Sequence, residues 1–328
     1  MEKIDFVILW VDGNDENWIK EKRKYDQRNK DINNSDVRFR DWEFLKFWFR
    51  CVEKYADWVN KIYFITWGHV PEWLNTSNEK IKIVKHSDFI PMKYLPTYSS
   101  DVIEMNLFRI KELNEKFVLF NDDFFLTDYV KPEFFFKKNL PVDIFSEDAL
   151  LPINDFTNVC FNNEKIINKH FEKRLVQKRH FFKLYNIKYG KYLFRNILLS
   201  AWGKFSSFKN LHLPQAFRKS NFEKVWELEQ EELDQRCINK FRSKDNLSQY
   251  LIRDWQLCSG EFYPSISKRG KYFDISDNNF EIYKAISKRK YKMICLNDGI
   301  DIKDFEKTKK EIIKFFEKTF PQKSNFEK

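Results

Sequence analysis

The sequence predicts an α/β protein, a mainly parallel sheet flanked by helices, with a mostly helical lobe inserted near the middle of the chain. Three observations predict it. Runs rich in Val, Ile, Phe and Tyr at 4–11, 61–66, 81–85, 116–121 and 292–296 have the length of core strands. Stretches of helical spacing lie between them, and that alternation favours parallel strands joined by crossover helices. From about 160 to 260 the texture changes to long, charged, aromatic-rich helical patterns with few strand signals.

Each element has its own justification. The first strand runs into ILWVDGND (8–15), where an apolar run meets acid and amide. A helix over about 41–56 follows from Phe44, Leu45, Trp48, Cys51, Val52 and Tyr55, which recur at three- and four-residue steps. Asp101 as N-cap, with Glu104 three residues on, predicts a helix to about 114. The strand at 116–121 ends in FNDDFF, and helical patterns follow at 161–186, 222–235 and 246–258. The strand at 292–296, ending in LNDGID, is expected to rejoin the first sheet. An amphipathic helix over 303–319 carries Phe305, Ile312, Ile313, Phe316 and Phe320 on one face, and the tail from Pro321 reads as loose. The expected division is an α/β part over 1–150, a helical lobe over 151–270, and a strand and helix over 271–328 that return to the core.

Composition excludes several classes. Of 328 residues 18% are aromatic, including 35 Phe and 10 Trp, which is too much apolar surface for a disordered chain. There are 7 Gly and neither a P-loop nor a G-x-G-x-x-G, so phosphate must be held without a glycine cradle. Cys51, Cys160, Cys237, Cys258 and Cys295 are odd in number and form no C-x-x-C, which argues against a disulfide framework or zinc ribbon. No stretch reaches the apolar length of a membrane span. A cytosolic protein is expected, with attachment to the inner face of a membrane compatible. The formal charge of +10 favours anionic partners, although the lysines are spread along the chain.

In open α/β sheets ligands sit beyond the carboxyl ends of the strands. If the acid-terminated strands are neighbours, Asp12, Asp15, Asp122, Asp123, Asn297 and Asp298 converge, and clustered carboxylates need a cation such as Mg²⁺ or Mn²⁺. Ordinary turn chemistry is the competing explanation for each acid-amide run. Asp298, Asp301 and Asp304 imitate part of a calcium loop, but the full pattern is absent. In NLHLPQAFRKS (210–220), Pro214 prevents a continuous helix and leaves His212 on a loop, where an imidazole can take a proton from a hydroxyl. Arg242, in NKFRSKDNL (239–247), can clamp a phosphoryl group. A structural histidine with its hydrogen bonds satisfied and an arginine on a solvated helix face are the alternatives. His69, His86, His170 and His180 show no ligand spacing and are expected to be structural.

These segments resemble the Stealth proteins, bacterial capsule hexose-1-phosphate transferases related to the animal lysosomal-enzyme N-acetylglucosamine-1-phosphotransferase. IDFVILWVDGND (4–15) resembles the first family block. RFRDWEFLKFWFRCVEKYADWVNKIYFIT (38–66), PEWLN, LPTYSSDVIE, FRI (108–110) and FVLFNDDFF resemble the second. LHLP with FRSKD resembles the third, and ICLNDGID the fourth. The resemblance implies a Rossmann-like, glycosyltransferase-like core and a specific reaction. An acceptor hydroxyl attacks the sugar-proximal phosphorus of a nucleotide-diphosphate sugar, with a UDP-linked hexose or N-acetylhexosamine as the default donor, and UMP leaves.

By the same resemblance His212 is the general base and Arg242 neutralises the transferring phosphoryl group. Asp122 and Asp123, with Asp298 in the same cluster, hold Mg²⁺ or Mn²⁺. Trp10, Asp12, Gly13, Asn121 and Asn297 lie on the donor side, and Arg109 remains a phosphate-binding candidate although Phe108 replaces the usual histidine before it. TWGH (66–69) also departs from the usual T-x-G-Q. The implied partners are a nucleotide-sugar donor and a glycan acceptor, with peripheral association to the inner membrane or capsule assembly machinery and no nucleic acid. A metal-dependent glycosyltransferase releasing UDP is the rival enzyme. A basic RNA-binding module is the rival of another class, and it requires exposed, interleaved aromatics.

Overall fold

A computed structural model describes residues 3–26, 40–151, 153–266, 268–299 and 302–328. Its strands, in chain order, are β1 (Ile4–Leu9), β2 (Ile62–Thr66), β3 (Ile81–Lys85), β4 (Lys116–Phe120), β5 (Phe124–Leu126), β6 (Phe136–Lys137), β7 (Leu140–Asp143), β8 (Gln215–Arg218), β9 (Tyr263–Pro264), β10 (Gly270–Asp274) and β11 (Met293–Asn297). The helices before the lobe are α1 (Glu16–Tyr25), α2 (Leu45–Tyr55), α3 (His86–Phe89) and α4 (Ser100–Met105). The lobe supplies α5 (Asp155–His170), α6 (Lys173–Arg179), α7 (Phe181–Leu184), α8 (Lys191–Leu199), α9 (Lys219–Leu228), α10 (Gln230–Cys237) and α11 (Tyr250–Cys258). After it come α12 (Phe280–Ser287) and α13 (Phe305–Thr319).

The main sheet has five strands in the order β3-β2-β1-β4-β8. The first four are parallel and β8 runs antiparallel along β4. Parallel strands are covered on both faces, which is why β1, β2 and β4 read as unbroken apolar runs. Phe6, Ile8, Phe64, Val118 and Phe120 face one core with Phe47, Trp48 and Phe49 of α2 and Ile312 and Phe316 of α13. Val7, Tyr63, Ile65, Phe117 and Leu119 face the other, with Phe222 and Val225 of α9 and Leu251 and Trp255 of α11. The lobe is thus the cover of one sheet face. Asp5 is the buried exception within β1, and it accepts hydrogen bonds from Asn60 Nδ2 (2.7 Å) and from the backbone and side chain of Asn114 (2.9 and 2.7 Å).

The expectation that the last strand rejoins the first sheet is corrected. The edge beside β4 is taken by β8, and β11 pairs instead with β10 and β5 in a separate sheet of order β10-β11-β5. The chain leaves the main sheet at Phe120 and enters this small sheet at Phe124, so Asn121, Asp122 and Asp123 span the seam between two sheets. Two local expectations also change. The helix expected to reach about 114 stops at Met105 and passes into a 3₁₀ turn over Leu107–Arg109, and Asp101 lies inside its first turn rather than capping it. The tail is docked, not loose. Phe326 is buried, Asn75 N donates to the Phe326 carbonyl (2.8 Å), and Arg50 grips the Glu327 carboxylate at 2.8 and 2.6 Å.

Candidate active site

The register Ile8–Phe120 brings the loops after β1 and β4 out side by side. In the first loop Asp12 Oδ1 accepts from Asn14 N (2.9 Å), and Asp15 caps α1 by accepting from Trp18 N (2.8 Å), both ordinary turn and cap chemistry. Gly13 lies half-buried at the tip of the same turn. His69, expected to be structural, braces this loop, with its Nε2 accepting from Asp12 N (2.8 Å) and its ring held below the ordinary histidine pKa by burial. Trp10 is 8% exposed and packs on Phe64 and His69.

The second loop holds the acid pair. Asp123 Oδ2 accepts from the Cys295 thiol (3.2 Å), whereas Asp123 Oδ1 is buried without a hydrogen-bond partner. Burial first, and then Asp122, pushes the Asp123 carboxyl up to about 7. Asp122 reaches solvent, yet it sits in protein dense enough to push it up to about 6, with Asp41 as the next cause. Asp41 is itself raised by burial, and Asp12 adds to that. Asp12, Asp41, Asp122 and Asp123 therefore act on one another as a chain of like charges. Leu296 N donates to the Asp123 carbonyl (2.9 Å), and this link ties the end of β11 to the acids although β11 lies outside the main sheet.

His212 arrives from the other direction. Antiparallel pairing sets Leu119 opposite Gln215, and His212 lies on the loop just before this paired strand, beside Asp123. Its backbone has φ 48°, the left-handed region, and its N–H donates to Asn210 Oδ1 (2.7 Å). The ring stands edge-on to Phe124 and Tyr272. Nδ1 lies 3.3 Å from the Tyr250 hydroxyl and Nε2 lies 4.0 Å from Asp123 Oδ2. One nitrogen is thus positioned by the lobe while the other faces the acids.

Arg242 Nη2 donates to Ser100 Oγ (2.9 Å). Its positive charge pulls down the carboxyls of Asp101 and Glu104 on one side and of Asp122 and Asp123 on the other. Burial nevertheless wins at Glu104, which with Asp101 beside it is pushed up to about 8. The guanidinium is therefore shared between the acids of α4 and the acid pair of the seam.

Other expected site residues have different occupations. Arg109 donates to Asn106 Oδ1 (2.8 Å) and stacks over Phe108 and Trp226, where Asp234 is among the charges it meets, so it serves packing beside α9. Both Asp298 oxygens accept from Arg40 (2.9 and 3.1 Å). Asn297 donates to Asp274 Oδ1 (2.8 Å) and joins the ends of β10 and β11. The Asn121 carbonyl accepts from Phe124 N (3.1 Å), closing the turn of the seam. Asp301 of the calcium-loop imitation, and Arg38 and Phe39 of the second block, lie outside the described residues.

Sequence reasoning passed over Asp41, Tyr250 and Cys295. Asp41 follows Arg40 in a segment read for its helix and its family resemblance but not for its acid, Tyr250 sits at the start of a lobe helix, and Cys295 has no ligand spacing. Only the fold brings them to the seam.

Ligand atoms of Asp123, His212 and Cys295 all lie within 4.8 Å of one another. The orphaned Asp123 Oδ1 and the raised carboxyls of Asp122 and Asp123 are what a cation would relieve, so the residues fit a divalent ion. The carboxylates suit a hard ion. Cys295 is held protonated by burial and by Asp123, which leaves it a hydrogen-bond donor.

Family models for Stealth protein conserved regions 1, 2 and 4 match residues 2–30, 38–143 and 284–328. His212 and Arg242 lie between the second and third of these segments. A capsular polysaccharide phosphotransferase of Streptococcus pneumoniae is 48% identical over 100% of this chain and 99% of its own length. An exopolysaccharide phosphotransferase of Lactiplantibacillus plantarum is 39% identical over 99% of this chain and 96% of its own. A receptor polysaccharide phosphotransferase of Streptococcus gordonii is 37% identical over 100% and 99%. Among solved structures, a galactosyltransferase in complex with donor and acceptor sugar analogs covers 98% of this chain and 96% of its own at 10% identity and a TM-score of 0.43, too loose a likeness to support any statement. End-to-end identity at this level, together with the three matched regions, makes the chain a member of the Stealth protein family and a transferase.

Proposed function

We propose that the protein moves a sugar-1-phosphate from a nucleotide-diphosphate sugar to a hydroxyl of a capsular or exopolysaccharide glycan, forming a phosphodiester. With a UDP-linked hexose or N-acetylhexosamine as donor, UMP is released. The observation that carries this reading is the meeting of His212, Arg242 and the Asp122–Asp123 pair at the carboxyl ends of β1 and β4.

His212 Nε2 takes the proton of the acceptor hydroxyl as its oxygen bonds to the sugar-proximal phosphorus, and the bond from that phosphorus to the nucleoside monophosphate breaks. Tyr250 at Nδ1 holds the ring in place. Arg242 neutralises charge on the transferring phosphoryl group. Asp122 and Asp123 would hold Mg²⁺ or Mn²⁺, which supplies charge neutralisation to the donor diphosphate. An imidazole nitrogen bound to metal has no lone pair for a proton, so His212 is assigned as base and not as ligand. On this reading 1–150 contributes the acid pair, 151–270 the base and guanidinium, and 271–328 the Cys295 strand. The reaction belongs to the cytosol, at the inner face of the membrane.

Incubation with a panel of nucleotide sugars and a glycan primer tests the proposal. Release of UMP and a phosphodiester signal in phosphorus NMR are expected. Release of UDP instead would make the protein a glycosyltransferase.

A further inference from the structure

A second concentration of unusual chemistry lies in the lobe. Eight of the nineteen exposed large apolar side chains among the described residues fall between Leu175 and Trp202. Phe182 and Ile187 are 85% and 86% exposed, and Phe194, Ile197, Leu198 and Trp202 are each more than half exposed. On α8, Phe194, Ile197 and Leu198 are three and four residues apart and share one side, whereas Asn196 and Leu199 are buried. The helix is firmly seated by its buried side. Asn196 donates to the carbonyls of Phe145 and Leu184 (both 2.9 Å), and Lys173 donates to the Leu199 carbonyl (2.7 Å). A seated helix that turns bulky apolar side chains to water marks a contact surface.

The charge of the same region is one-sided. Lysines are spread along the chain but acids are not, since residues 173–222 hold twelve Lys or Arg and no Asp or Glu. The remainder of the chain is close to neutral. Lys178, Arg179, Lys188, Lys191 and Lys204 are exposed among the apolar side chains.

We propose that α6–α8 form a docking surface for the anionic face of a lipid bilayer. The apolar stripe of α8, with Phe182 and Ile187, enters the boundary between headgroups and acyl chains, and the cations around it meet lipid phosphates. No helix among the described residues is long and apolar enough to cross a membrane, so the contact is interfacial. A second copy of the chain is a poorer occupant, because self-pairing would set one cationic face against another.

The full chain sedimented with vesicles tests this. Binding to mixed phosphatidylglycerol and phosphatidylcholine vesicles is expected, weakening as salt rises, with little binding to phosphatidylcholine alone. The double variant Ile197→Asp, Leu198→Asp is expected to lower partitioning by about tenfold or more, with an unchanged melting curve because both positions are exposed. The variant Lys188→Glu, Lys191→Glu tests the electrostatic half without touching the stripe. Equal partitioning of wild type and both variants, or no binding to anionic vesicles, overturns the proposal. So does a wild-type dimer that the aspartates dissociate while vesicles stay unbound, since that result gives the face to a second copy. Turnover is not part of the readout, so failure here leaves the catalytic reading untouched.

Discussion

His212 Nε2 stands 4.0 Å from Asp123 Oδ2, and the edge strand β8 puts it there by pairing antiparallel with β4. The gap is too long for a direct hydrogen bond, so the imidazole nitrogen facing the acid is not tied to it. This pair is where an imidazole carried by the lobe meets an acid at the end of the sheet.

Asn at position 212 separates chemistry from folding. The left-handed backbone of His212 suits Asn better than Ala. His212→Asn is expected to melt like wild type while turnover falls by about 10²- to 10⁴-fold. A near-normal kcat in a folded variant would remove the imidazole from the reaction.

Asp123→Asn is expected to trade function for stability. Its carboxyl is raised by burial and by Asp122, so ionisation costs the metal-free fold energy that an amide does not. Without metal the variant is expected to gain roughly 2–4 °C in Tm for each kcal/mol recovered, and a Mn²⁺ titration is expected to lose its tight phase. An unchanged titration would move the ligand role elsewhere, whereas His212→Asn is expected to keep it.

The contrast between Trp10 and Asp123 shows how far the sequence could be read. Strand positions were legible because an apolar run buried on both faces has a composition of its own, and β1 to β4 fall where that composition placed them. Partners were not legible. Nothing near β11 announces that it pairs with β5 rather than joining the main sheet, because the edge beside β4 is occupied by β8, a segment far from β11 in the sequence. Trp10 and Arg109 show the same for side chains. Indole and guanidinium groups serve packing as well as ligands, and only the presence of Phe64 and His69 around one and Trp226 beneath the other decides which.

Glu104 gives the fold a pH dependence of definite sign. Burial and Asp101 raise it from 4.5 to about 8, so the folded chain keeps a proton that the unfolded chain releases. Its stabilising effect is full below about pH 4.5 and is lost as pH rises through about 8. Urea midpoints measured at about pH 5 and pH 8.5 are expected to differ less in Glu104→Gln than in wild type. An equal difference in both would place the dependence on another group.

Asp298→Asn is expected to leave metal affinity unchanged, because both its oxygens already serve Arg40. With both side chains about a quarter exposed, the lost pair is expected to cost no more than about 1 kcal/mol. A tenfold weaker Mn²⁺ titration would return Asp298 to the ligand set.

The seam at Asn121–Asp123 has a mechanical consequence. One chain segment ends the five-stranded layer and begins the three-stranded one, and Cys295 touches it from the far side. A guest held there acts as a rivet between two plates. Loading the protein should therefore quiet the breathing of β10 and β11, and slower deuterium uptake in those strands would report occupancy at a distance from any reacting atom.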